Sequence, residues 1–201
     1  MSTDERTPPD RVRLSRMQEV QLPALEKVDR ACAAMYYALG FDAAEVPVRS
    51  YADFVGLTRD HNVNVIEADY QPAGYAAWRD EAPGVAYLAD INVHPDVQRF
   101  GLGARLLDAV REDARRAGLR HIVLRCWAKA TWAMAFYRKQ GFRELDSATL
   151  PNDVMTWVTE KEESGRPVVR PGEVLMFGDV GEPPEEPQEP EDDEPIEDDV
   201  A

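Results

Sequence analysis

The sequence predicts an α/β fold with a central mixed, mostly antiparallel sheet flanked by helices. Three observations point there. Between Asn62 and Val93, three apolar runs follow one another across short turn signals, the spacing of an antiparallel meander. From Gly101 the apolar period changes to 3.6, and Leu102, Leu106, Val110 and Ala114 form one stripe. A near-continuous apolar run, "HIVLRCW" (His121 to Trp127), then reads as a strand covered on both faces. The second and third observations together describe a strand–helix–strand crossover within the same sheet.

The elements follow in order. Residues 1–10 read as a disordered start. "RVRLSRM" (Arg11 to Met17) alternates apolar and charged side chains, as a half-buried strand does. Leu22, Leu25, Val28, Cys32, Met35 and Leu39 recur at helical spacing, with Pro23 suited to a first turn and Gly40 to a stop. "SYADFVGLTRDHN" reads as a shorter helix with Ser50 as its N-cap. "NVNVIEA" (Asn62 to Ala68) and "AGYAAWRDE" (Ala73 to Glu81) are strands, and Gln71–Pro72 is the expected turn between them. Gly84 to Val93 is the third strand, and Pro95 ends the pattern. Gly118 closes the long helix. "TWAMAFYRKQ" (Thr131 to Gln140) is a short helix closed by Gly141, with Phe142 placed to cap it, and "FRELD" follows as a strand. Val154, Trp157, Val158 and Lys161 fit a helix face, although "VMTWVT" also suits a strand; a helix is the expectation for Pro151 to Gly165. "EVLMFGDV" (Glu173 to Val180) is the last strand.

Composition limits the function classes. The 201 residues carry a net charge of −15. Eleven acidic residues and five prolines, with no Lys or Arg, crowd into Gly181 to Ala201, which leaves residues 1–180 with 27 acidic against 23 basic side chains, a net of −4. That body has no basic surplus for nucleic acid. The tail lacks the apolar surface that offsets ordering entropy, so 181–201 is expected to be an acidic disordered tail and 11–180 one domain. Two cysteines make no disulfide framework, Met1 to Pro9 has no signal-like apolar core, and no apolar run reaches bilayer length. The expectation is a cytoplasmic protein with neither membrane nor nucleic-acid partner. Three His and two Cys are scattered without ligand spacing, so no metal site is expected. His94 reads as a turn residue and Cys126 as a packed thiol.

"INVHPDVQRFGLGARLLDAV" (Ile91 to Val110) sets two glycines directly before a helix. A helix start has N–H groups without intrahelical partners and partial positive charge, and a glycine-rich entry lets an anion approach them. Gln98, Arg99, Phe100, Gly101, Leu102, Gly103 and Ala104 would form such a cradle, with Arg105 adding charge. The dinucleotide fingerprint does not fit, because Leu106 replaces its third glycine and Leu124 stands near its acidic position; the Gly-Lys-Ser/Thr of a P-loop is absent.

"DINVHPDVQRFGLGARLL" and "AMAFYRKQGFREL", at this spacing, resemble the GNAT superfamily of acetyl-CoA-dependent N-acetyltransferases. The resemblance runs from about Val12 to about Val180 and is strongest from Asp90 to Leu145. It implies a V-shaped splay between the strands ending near Val93 and Trp127, with acetyl-CoA as cosubstrate in the cleft. Backbone groups of Ile91, Asn92 and Val93 would pair with the pantetheine arm, Gln98 to Ala104 would hold the diphosphate, and an N–H near Val93 would face the developing oxyanion. The family acid matches Tyr137, which competes with a packing role beside Phe136. Asp90 is the candidate base, or a carboxylate that only attracts a cationic amine. Ala133 stands where many relatives carry an Asn that holds the pantetheine arm. The implied function is acetyl transfer to a primary amine, of a small molecule or a protein, by direct attack in a ternary complex. The alternative is a catalytically silent acyl-CoA-binding sensor or adaptor. Asp80, Glu81 and Asp90 on neighbouring strands hint at a cationic acceptor, and a homodimer stays open.

Overall fold

The computed structural model describes residues 7–145 and 150–181; the acidic tail from 182 onward and the first six residues lie outside them. The chain runs β1 (Val12–Arg16), α1 (Leu22–Tyr37), α2 (Tyr51–Asp60), β2 (Asn62–Ala68), β3 (Gln71–Ala82), β4 (Val85–Val93), α3 (Leu102–Arg116), β5 (His121–Trp127), α4 (Thr131–Lys139), β6 (Arg143–Glu144), α5 (Asn152–Glu163) and β7 (Glu173–Asp179). The strands form one sheet in the order β1-β2-β3-β4-β5-β7-β6. Every pairing is antiparallel except β4 with β5. This is the mixed, mostly antiparallel sheet with flanking helices that the sequence predicts.

Both faces of the sheet are covered. On one, Leu102, Leu106, Leu107, Val110 and Ala114 of α3 and Ala133 and Met134 of α4 pack on Ala76, Trp78, Leu88, Ile122, Leu124 and Met176. On the other, Leu22, Leu25, Val28 and Cys32 of α1 and Phe54 of α2 cover Val63, Val65, Tyr75 and Ala77. The same face continues over β5 and β7, where Val154 and Trp157 of α5 meet Val85, Val123, Leu175 and Phe177. That burial settles "VMTWVT" as helix, because Val154 and Trp157 are neighbours on a helical face. Ser50 caps α2, its Oγ accepting from the Asp53 N–H while the Asp53 carboxylate accepts from the Ser50 N–H.

The β2–β3 turn differs from the expected Gln71–Pro72. Asp69 (φ +48°) and Tyr70 (φ +67°) form a two-residue turn, and Gln71 and Pro72 already belong to β3. Paired positive φ values match the twist of a hairpin, and here they occur without a glycine to announce them. Pro72 fits inside the strand because the register shifts beside it, between Ile66 and Glu67.

β4 and β5 pair only from Val85 to Leu88 against His121 to Leu124. Beyond those residues each strand follows its other neighbour: β4 stays on β3 as far as Val93 opposite Gly74, and β5 stays on β7 as far as Trp127 opposite Glu173. The departure begins at a β-bulge. Leu88 pairs with Trp78 and Asp90 with Ala77, which leaves Ala89 as an extra residue. The bulge shifts the phase of the strand. Ala86 and Leu88 face α3 before it, and Ile91 and Val93 do so after it, so Asp90 and Asn92 fall on the α1 face.

Candidate active site

The end of β4 supplies main-chain groups to the opening. The His94 N–H donates to the Ala73 carbonyl directly opposite, at 2.8 Å. Main-chain groups alternate sides along an antiparallel strand, so Asn92 is turned to β3, whereas Ile91 and Val93 are turned toward β5. The Val93 carbonyl is already taken, accepting from Gln98 Nε2 at 2.8 Å and from the Cys32 thiol at 3.3 Å. The Val93 N–H and both main-chain groups of Ile91 are left for the cleft. Asn92 is placed differently from Ile91 and Val93. Its backbone faces β3, and its side chain donates to the Tyr75 hydroxyl at 2.9 Å and toward Asp29 at 3.4 Å.

The loop after β4 is anchored through Gln98 and then opens. Arg99 (φ +72°) and Gly101 (φ +80°) both adopt left-handed backbone, and Gly101 caps α3. The N–H groups of Arg99 to Ala104 have no acceptor among the described residues; the next N–H, that of Arg105, returns to Gly101 O at 3.1 Å. Arg99, Gly101 and Arg105 are exposed, while Phe100, Gly103 and Ala104 are half-buried. Leu102 contributes main chain only, because its side chain lies in the core. Gly103 also lets the helices approach: a Cβ there would stand 3.3 Å from the Phe136 ring of α4. A run of free donors at a helix start, flanked by two guanidinium groups, fits a diphosphate.

Tyr137 lies on α4 against Phe136 (ring centroids 5.3 Å apart) and Phe142 (5.8 Å). Burial pushes its phenol well above the usual range, and Cys126, Tyr36, Asp90 and Tyr87 around it push the same way, so it holds its proton. The packing reading and the acid reading therefore describe one side chain whose hydroxyl has no bond among the described residues. Burial likewise raises the thiols of Cys32 and Cys126 to about 12, which keeps both as thiols. Trp127 and Trp132 flank this region through an aromatic chain: Phe41 lies 4.9 Å from Trp127, and Tyr36 lies 5.3 Å from Trp132 and 5.9 Å from Phe41.

Asp90 is one-fifth exposed and meets Arg49, whose Nη2 donates to Oδ2 at 2.5 Å. Burial raises its carboxyl from the ordinary value to about 6, with Asp29 adding to the shift and Arg49 opposing it. The expected acidic patch for a cationic acceptor does not form. Glu81 is tied to Lys161, Arg79 and the Trp157 indole, and Asp90 is tied to Arg49. Asp80 is exposed and sits opposite Ala86, toward the far end of β4 from Asp90. Among the described residues, no group of His, Cys, Asp and Glu is arranged to hold a metal, and no helix is long and apolar enough to cross a membrane.

Sequence reasoning missed Asp29, Arg49 and Tyr75. One signal for Asp29 was available: a carboxylate set among Leu25, Val28 and Cys32 on the buried stripe of α1. Arg49 lies between helices, where no periodicity marks it.

Known proteins resemble this chain in sequence and in fold. An IAA acetyltransferase of Azospirillum brasilense is 25% identical over 132 residues, 66% of this chain and 82% of that protein. The PaiA N-acetyltransferase of Thermoplasma acidophilum, solved in complex with coenzyme A, superposes with a TM-score of 0.68 at 16% identity, covering 84% of this chain and 99% of its own. The ribosomal-protein-S18-alanine N-acetyltransferase of Escherichia coli gives 0.60 at 20% identity over 87% of this chain and 97% of its own. The structural likenesses, at such identities, speak for the fold. The model of the Acetyltransferase (GNAT) family matches residues 24–142, which span the β4–α3 loop and Tyr137. With more than half of its length matched, this chain belongs to the GNAT acetyltransferase family and is an acyltransferase.

Proposed function

We propose that residues 11–180 form an N-acetyltransferase domain that moves the acetyl group of acetyl-CoA to a primary amine by direct attack in a ternary complex. The observation that carries this reading is the opening between β4 and β5 beyond Leu88 and Leu124, bordered by free main-chain groups of Ile91 and Val93. The loop of unpartnered donors from Arg99 to Ala104 is anchored to the end of β4 by Gln98. Strand and loop together present the two kinds of donor that a long phosphorylated thioester needs, one set along its arm and one at its diphosphate.

The residues then divide the proton work. Asp90, with a carboxyl at about 6, is ionised near neutrality and takes the ammonium proton, directly or through one water, so that the amine lone pair can form the new C–N bond. The Val93 N–H faces the carbonyl oxygen as negative charge builds on it. The C–S bond breaks, and Tyr137, still protonated, donates to the departing sulfur. Ala133 offers no side-chain hydrogen bond, so the arm is held by main chain alone at that point.

Two measurements on the purified full chain test this. Wild type should bind acetyl-CoA and acetylate members of a broad amine panel. Tyr137→Phe should bind acetyl-CoA equally well while turnover falls by roughly 10²-fold or more. If wild type binds acetyl-CoA and acetylates nothing in the panel, the protein is an acyl-CoA sensor and the proposal fails.

A further inference from the structure

Behind Asp90 lies a polar cluster that the proton-transfer scheme does not use. Asp29 is 4% exposed, inside the apolar face of α1. Its Oδ2 accepts from the Arg49 main-chain N–H at 2.6 Å. Its Oδ1 accepts from the Tyr75 hydroxyl at 2.6 Å, from Arg49 Nη1 at 3.3 Å and from Asn92 Nδ2 at 3.4 Å. A carboxylate so deeply buried is tolerated only where donors converge on it. The convergence holds Arg49 twice, by its backbone and by one arm of its guanidinium. Arg49 Nη1 also reaches the Tyr75 hydroxyl at 3.2 Å. The planar fork then has one direction left for its other arm, and Nη2 meets Asp90 Oδ2 at 2.5 Å. Asp90 Oδ1 has no partner among the described residues.

We infer that Arg49 is a positioning residue for Asp90: clamped by Asp29, it fixes one carboxylate oxygen and leaves the other for the acceptor amine or an intervening water. The inference rests on the reading of Asp90 as base. It makes α1 and the segment leading into α2 parts of the catalytic geometry, because Asp29 and Arg49 come from those two places and Asp90 from the sheet. A lysine keeps the charge at position 49 but has no fork, so it cannot hold Asp29 and Asp90 in fixed relation.

The test follows the Asp90 carboxyl directly, by carbon NMR titration of the full chain labelled at aspartate, with Asp90→Asn assigning the resonance. The kcat/KM pH profile is measured in parallel. Arg49→Gln should move the Asp90 midpoint, and the acidic limb with it, up by about one unit or more, because a cation beside the carboxylate is lost. Arg49→Lys should return the midpoint most of the way while kcat stays at least tenfold below wild type and the KM for acetyl-CoA is unchanged. Coenzyme A affinity in each variant checks folding. An unmoved Asp90 midpoint in a folded Arg49→Gln protein, or wild-type kcat in Arg49→Lys, overturns the inference while leaving the base in place. A fully active Asp90→Asn protein overturns the base itself, and the inference with it.

Discussion

Leu88 of β4 and Leu124 of β5 are the last residues that the two strands pair, and the next residue, Ala89, is the bulge. The extra residue parts the strands and sets the phase that puts Asp90 and Asn92 on the α1 face. Deleting Ala89 should leave Asp90 opposite Ala77 and every later β4 side chain on its present face, but straighten the strand so that it runs on beside β5 past Leu88 and narrows the opening. The expected result is a folded protein by circular dichroism whose acetyl transfer falls by about tenfold or more. A deletion variant that melts and turns over like wild type would show that the bulge does not set the site.

The two loop glycines should fail differently. Gly101 needs its φ of +80° and has open space around it, so Gly101→Ala should cost about 1–2 kcal/mol through backbone strain. Gly103 has ordinary helical backbone but sits against Phe136. Gly103→Val should therefore destabilise by crowding, and Phe136→Leu should recover part of the loss in the double variant but none of it in Gly101→Ala. Urea melts of the single and double variants measure the coupling.

Activity should rise with pH through about 6, because the attacking amine needs Asp90 ionised. The stability trend has the opposite sign. The folded carboxyl holds its proton to a higher pH than the unfolded one, so its contribution is full below about 4 and is lost as pH rises through about 6. The melting temperature of Asp90→Asn relative to wild type should accordingly be higher at pH 7.5 than at pH 5. Calorimetry at the two pH values reads the difference.

Both cysteines are buried, with thiols held at about 12, so neither should react with a thiol reagent at pH 8 until the chain unfolds. In Ellman assays both thiols should appear only on the timescale of unfolding in denaturant.

What the sequence made legible was local. The strands and helices from Asn62 onward carry their own period. The turn into α3 is written by Gly101 and Gly103, and the α4 segment by Phe136, Tyr137 and Phe142. The Asp69–Tyr70 turn was misread because neither residue is a glycine, while Pro72 next to it looked like one. The acceptor side was the least legible part. Asp29, Arg49, Tyr75 and Asp90 lie far apart along the chain and meet only when α1 and the segment before α2 fold onto β3 and β4. No spacing rule links such residues. The acidic triplet of Asp80, Glu81 and Asp90 misled for a related reason, because the cations that neutralise Glu81 include Lys161, which arrives on α5 from 80 positions later.

In the proposed function, free main-chain donors at the start of α3 hold the coenzyme's diphosphate. Amide NMR of the full chain titrated with coenzyme A tests it most directly. The N–H signals of Arg99 to Ala104 should move furthest and saturate together, with Ile91 and Val93 following and α5 unaffected. Saturable binding that leaves residues 99–104 unmoved, or no binding at millimolar coenzyme A, would contradict it.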